Sequence, residues 1–188
     1  MLVIELETKN VIEIELHPEC APNTVRNIRY LTSKRFYNGL AVYRTVKNKL
    51  VQIGCPKNIG KYGPGYTIFG EFEANGFKNS LPGKRGNVFA GRYSDNYNSN
   101  NSQFFINQRD IHELNGNYTG FGSVVKGMDV VDWLSEMETY DGEHPIDPII
   151  ITRMYLKDDY DPIVVPDKMP KEFSQSLKFP IFEENDEF

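Results

Sequence analysis

Apolar and acidic residues alternate through Val11–Leu16 (VIEIEL), so that Ile12, Ile14 and Leu16 can face one way and Glu13 and Glu15 the other. A period of two marks a strand with one buried and one wet face. Leu2–Leu6 (LVIEL) precedes it, and Thr8-Lys9-Asn10 between the two predicts a hairpin turn. The period then changes. Pro22 suits a first helical turn, and Val25, Ile28 and Leu31 follow at three-residue spacing until Asn38-Gly39 ends the unit. Strands are predicted at Leu40–Thr45 and Leu50–Ile53, followed by a Gly/Pro-rich loop, GCPKNIGKYGPGYTIFGEF. Residues 86–91 and 103–107 read as buried strands around a polar, asparagine-rich stretch, RYSDNYNSNNS. Phe121–Val125 is a further strand. Gly127–Met137 is a second helix with Met128, Val131 and Leu134 inward, and Ile149–Leu156 closes the ordered part. No repeat of about 20–50 residues is visible. The pattern predicts a mainly β domain, a barrel or sandwich with helices covering its ends.

Composition narrows the function classes. A chain of 188 residues with 39% apolar and 25% charged side chains fits one domain with a real core and leaves room for a tail. The net charge of −5 is uneven: residues 1–156 carry 17 acidic and 17 basic side chains, residues 157–188 nine and four. Bulk positive charge for nucleic acid is missing, and Glu183, Glu184, Asp186 and Glu187 form an acidic tail that favours solubility. Glu5, Glu7, Glu13 and Glu15 interrupt any signal-peptide run, and no apolar stretch approaches the roughly 18 residues of a membrane span. Cys20 and Cys55 read as two reduced thiols. His17, His112 and His144 are scattered, so neither a disulfide scaffold nor a metal centre is expected. Gly60, Gly63 and Gly65 lack the spacing of a phosphate loop. Trp133 reads as a structural aromatic, and Ile163, Val164 and Val165 suggest that the start of the C-terminal segment packs back on the domain.

Six blocks then carry a resemblance: FYNGLAVYR at 36–44, QIG at 52–54, GPGYTI at 63–68, NSQFFI at 101–106, LNGNYTGFG at 114–122 and VVKGMDVVD at 124–132. In this order they resemble the cyclophilin peptidyl-prolyl isomerases across residues 2–156. The resemblance implies an eight-stranded antiparallel barrel capped by two helices, divided as a domain at 1–156 and an acidic extension at 157–188. Glu113 stands where most active cyclophilins have tryptophan. With GEHPIDPIII and DDYDPIVVP, this resembles the spliceosome-associated nuclear branch, which implies a nuclear or cytoplasmic protein with proline-containing peptides, and spliceosomal proteins, as partners and with no cofactor.

The resemblance also implies the site. Arg44 matches the catalytic arginine and Gln52 the glutamine that orients it. Phe105 matches the floor of the proline pocket, and Leu50 and Leu114 its walls. Gln103 matches a rim glutamine that contacts the substrate backbone, Tyr118 stands at a usual histidine, and Tyr93 and Ser94 are rim candidates. Phe104, one step along the strand, should face the core. The chemistry asks for such a set: X–Pro rotation has a barrier of ~18–20 kcal/mol, and a fixed cation donating toward the twisted amide lowers it without a covalent step. Three departures bear on activity. Lys49 replaces a pocket phenylalanine, Glu113 replaces the edge tryptophan within reach of Arg44 and Lys49, and Tyr43 replaces a histidine. Loss of the tryptophan implies weak or absent cyclosporin binding. Two readings stay open: an isomerase of reduced activity, or a module that holds proline peptides within the spliceosome.

Overall fold

Side-chain alternation sorts the strands into one curled sheet. The structure, a computed structural model, describes residues 1–58 and 60–176. Strands β1 (Leu2–Leu6) and β2 (Val11–Leu16) form the predicted hairpin, with Lys9 in the left-handed region at its turn. Six more strands follow: β3 (Arg44–Val46), β4 (Leu50–Ile53), β5 (Asn87–Ala90), β6 (Phe104–Asn107), β7 (Gly120–Lys126) and β8 (Ile151–Leu156). All pair antiparallel in the order β3-β4-β6-β5-β7-β2-β1-β8. The two edges approach each other through the Ala41–Ile150 bridge and the bond from Val42 N–H to Ile149 C=O, 2.8 Å.

Helix α1 (Pro22–Ser33) buries Val25, Ile28 and Leu31 and packs against β8. Its first N–H groups lack a local cap. Instead the buried Glu71 carboxylate accepts from Asn23 N at 3.0 Å and from Thr24 N at 2.8 Å. Helix α2 (Met128–Ser135) packs against β2, β3 and β4. Gly127 stands before it at φ +91, where a Cβ would meet Val11 O at 2.4 Å.

Several expectations need correction. Leu40–Tyr43 is not a strand, because its backbone groups turn to Ile149–Ile151 before Arg44 pairs with β4. The last strand therefore starts at Ile151. Helix α2 is shorter than Gly127–Met137, since left-handed Gly127 precedes it and turn bonds from Glu136 and Met137 close it. A third helix, α3 (Lys171–Ser176), joins the two expected. Trp133 is no core aromatic: it is 43% exposed, on the solvent side of α2.

The segment after β8 lies against the domain by polar ties rather than through Ile163, Val164 and Val165, which are exposed. Arg29 holds Asp159 with two bonds, Asn23 and Asp167 exchange bonds, and Met169 N–H donates to Thr67 C=O. The expected acidic tail falls outside the described residues.

Candidate active site

Pairing register places the site. Arg44 is opposite Gln52, Gln52 opposite Phe105, and Phe105 opposite Phe89, a row of four across β3, β4, β6 and β5. Their neighbours along each strand point to the other side. Val51, Ile53, Phe104, Ile106, Val88 and Ala90 enter the main core, where Phe104 packs edge-on against Tyr37 and Phe121. The row's own face carries a second, smaller apolar cluster of Leu50, Phe89, Phe105, Ile111 and Leu114, with Tyr118 and Val46 against it. Phe105 stacks on Phe89 at 5.9 Å and meets Tyr118 edge-on at 5.9 Å. The same period-two rule thus builds the core and, on the opposite face, an aromatic-floored recess.

That recess opens as a cleft of about 360 Å³. Arg44, Lys49, Leu50, Gln52, Phe105, Glu113, Leu114 and Tyr118 all line it, together with Gly91, Arg92, Arg109 and Ile111. Eight of the eleven sequence-derived site residues therefore meet in one place, and Gln103 and the rim candidates Tyr93 and Ser94 are not in its lining. Gln103 does not reach it. It is buried behind the cleft, where its Oε1 accepts from Tyr43 OH at 2.6 Å and Gln52 Nε2 at 3.2 Å, and its Nε2 donates to Gly60 O and Tyr62 O. Its amide is fully engaged in holding the Gly/Pro loop to β4, so the rim role expected for its side chain does not fit. Tyr93 OH likewise reaches Gly60 O at 3.1 Å. Tyr43, expected as a mild change, is buried, and burial raises its phenol pKa.

Arg44 is the most organised side chain here. Nη1 donates to Gln52 Oε1 at 2.9 Å; Nε and Nη2 grip Glu143 Oε2 and Oε1 at 2.9 and 3.0 Å. Burial pulls the guanidinium pKa down, but the bonds and charge of Glu143 outweigh it and the net shift is upward. The hydrogen bonds from Arg44 in turn hold Glu143 below the usual carboxylate range. The anion expected near Arg44 was Glu113. Glu113 instead sits exposed on a short 3-10 turn (His112–Leu114), and makes no ion pair with any described residue.

Glu143 and Arg92 were missed by sequence reasoning. Arg44 and Glu143 lie 99 positions apart, and nothing in spacing joins them. Arg92 stacks 4.4 Å over Tyr118, 5.0 Å over Tyr97 and 5.3 Å over Phe72, while donating to the carbonyls of Asn117, Tyr93 and Ser94. It ties the asparagine-rich loop to the cleft wall. An arginine directly before Tyr93, at the head of the asparagine-rich stretch, was the available signal. Among the described residues no group of three or more His, Cys, Asp or Glu could hold a metal ion, and no helix is long and apolar enough to cross a membrane.

Comparison with known proteins agrees with this geometry. Residues 1–156 match the family model described as cyclophilin type peptidyl-prolyl cis-trans isomerase. Peptidyl-prolyl cis-trans isomerase B of Bacillus subtilis is 40% identical over 124 residues, covering 66% of this chain and 82% of its own. Peptidyl-prolyl cis-trans isomerase-like 1 of Aspergillus fumigatus is 33% identical, covering 79% of this chain and 90% of its own. A cyclophilin type isomerase of Cryptosporidium parvum, crystallised in the presence of the dipeptide Ala-Pro, superposes with a TM-score of 0.76 at 25% identity, over 84% of this chain and 99% of that one.

Proposed function

Because the chain belongs to the cyclophilin-type peptidyl-prolyl cis-trans isomerases, we propose that the Arg44 cleft is where it turns X–Pro bonds, with turnover reduced by Glu113 and Lys49. The observation that carries this reading is the guanidinium of Arg44, fixed on two edges beside a recess floored by Phe105.

The recess suits a proline ring: Phe105 beneath, Leu50, Ile111 and Leu114 around, Tyr118 at the edge. Ring burial holds the substrate without restraining the amide. As the amide twists, resonance fades and the proline nitrogen gains a basic lone pair. Arg44 keeps two N–H groups beyond the three it uses, and an always-protonated donor aimed at that charge binds the twisted form better than either planar isomer. Each ~1.4 kcal/mol of such preference is tenfold in rate. No bond is made or broken.

Lys49 and Glu113 are both exposed at this cleft and, on the resemblance drawn from the sequence, supply charge where most cyclophilins carry rings. A proline peptide therefore loses part of an apolar wall. The second reading, a proline-peptide holder within the spliceosome, draws on the same two residues and on relatives named isomerase-like 1. Cis-to-trans exchange of an X–Pro peptide, followed by NMR with wild type and Arg44→Ala, separates the two. Catalysed exchange lost in Arg44→Ala supports turnover at Arg44. Perturbed peptide signals without faster exchange support the holder, and association with splicing proteins in nuclear extract then tests its place.

A further inference from the structure

A guanidinium offers five N–H groups in one plane. On Arg44, Glu143 takes Nε–H and one Nη2–H, and Gln52 takes one Nη1–H. What remains is one N–H on each Nη, on a side chain that lines the cleft. Gln52 alone would hold a single corner, leaving the plane free to swing about that bond. The two-point grip of Glu143 removes that freedom.

The turn that brings Glu143 is itself braced. Asp141 Oδ1 accepts from Glu143 N at 3.0 Å and His144 N at 2.8 Å, and Tyr140 stacks on the His144 ring at 5.5 Å. Thr45 N–H, the residue after Arg44, donates to Glu143 C=O at 2.7 Å, so backbone and side chain of the turn both address β3.

We propose that Glu143 is a positioning residue for the isomerase reaction, fixing the plane of Arg44 so that its two remaining N–H groups face the substrate. This rests on the reading of Arg44 given above. The carboxylate also offsets part of the guanidinium's charge, which acts the other way. Orientation prevails because the twisted amide needs a directed donor, and the charge of a side chain 30% exposed is already screened by water.

The test is kcat and KM for an X–Pro peptide with wild type, Glu143→Gln and Glu143→Ala, each also in an Arg44→Ala background. Glu143→Ala is expected to lower kcat about tenfold, less than the ~100-fold that a 1 Å misplacement can cost, with KM little changed. Glu143→Gln, which keeps an acceptor oxygen, falls between, and neither change adds a loss once Arg44 is gone. The Nε–H signal of Arg44 in NMR gives a readout that needs no turnover: slow to exchange with water in wild type, fast in Glu143→Ala. An unchanged or raised kcat in Glu143→Ala, a loss in KM alone, or an unchanged Nε–H signal would overturn the proposal. If wild type shows no turnover, the function proposed for the cleft fails, and the Nε–H signal alone decides the role of Glu143.

Discussion

Arg44 and Gln52 are register partners across β3 and β4, and the side-chain bond between them, 2.9 Å from Nη1 to Oε1, follows from that register. Because both anchors of Arg44 use the planar fork, charge alone does not replace it. Lysine would keep the charge but present one ammonium in place of three held N–H groups. Arg44→Lys is expected to lose about 100-fold in kcat, the scale of removing one preorganised donor, with an unchanged fold by circular dichroism. A variant within a few-fold of wild type in the exchange assay would show that orientation does not matter.

The second anchor of Arg44, its ion pair with Glu143, fixes a pH dependence. Hydrogen bonds from Arg44 lower the Glu143 pKa in the folded state. A depressed carboxylate contributes stability that is complete above its unfolded value, about 4.3, and is lost as pH falls through the lower folded value. Asp141, which braces the turn, is depressed too, chiefly by the backbone N–H of His144. The isomerase rate should therefore stay flat on acidification from about pH 8 until below the ordinary glutamate range. Glu143→Gln should lack that acid limb. A limb centred at the ordinary glutamate value, or one unchanged in Glu143→Gln, would count against the pair as its source.

Much of this was legible along the chain, for a physical reason. Strand alternation decides which of two neighbours, Phe104 or Phe105, enters the core and which floors the recess, and period two is readable directly. Local signals also set α1, from Pro22 onward. Partnerships across the fold were not legible. Glu143 reaches Arg44 only because the turn before β8 folds beside β3, and Gln103 turns inward because Tyr43 and the Gly/Pro loop consume its amide. The polar hold on residues 157–169 was hidden likewise: the apolar triplet Ile163–Val165 drew the eye, while single aspartates made the contacts.

Glu113 lies exposed at the cleft without an ion-pair partner among the described residues. Replacing it by tryptophan adds a large apolar surface and an indole donor at an edge where nothing folded depends on the carboxylate. Glu113→Trp is expected to raise kcat/KM several-fold, mainly through KM, and to strengthen cyclosporin binding by at least about tenfold, the worth of ~1.4 kcal/mol. Calorimetric titration with cyclosporin and the exchange assay check both. Low-nanomolar binding by the wild type, or no change in either quantity, would remove Glu113 as the determinant.

Two arginines on α1 hold two aspartates of the segment beyond β8, and their surroundings set unequal values. Arg29 and Asp159 are 15% and 12% exposed and share two bonds, with Arg29 also reaching Asp161 C=O. Arg26 and Asp167 are 34% and 86% exposed and share one. Removing one partner of a nearly buried pair strands the other charge away from water, so Asp159→Ala should cost about 3 kcal/mol. Asp167→Ala should cost under about 1 kcal/mol through its ion pair, because water already screens that contact. Denaturant unfolding of the full chain gives both numbers from the midpoint shifts. Equal losses would mean that burial does not set the strength of these ties. A larger loss in Asp167→Ala would make the exposed Arg26 pair the main anchor of the segment, since the bonds that Asn23 exchanges with the Asp167 backbone, at 2.8 and 2.9 Å, survive that change.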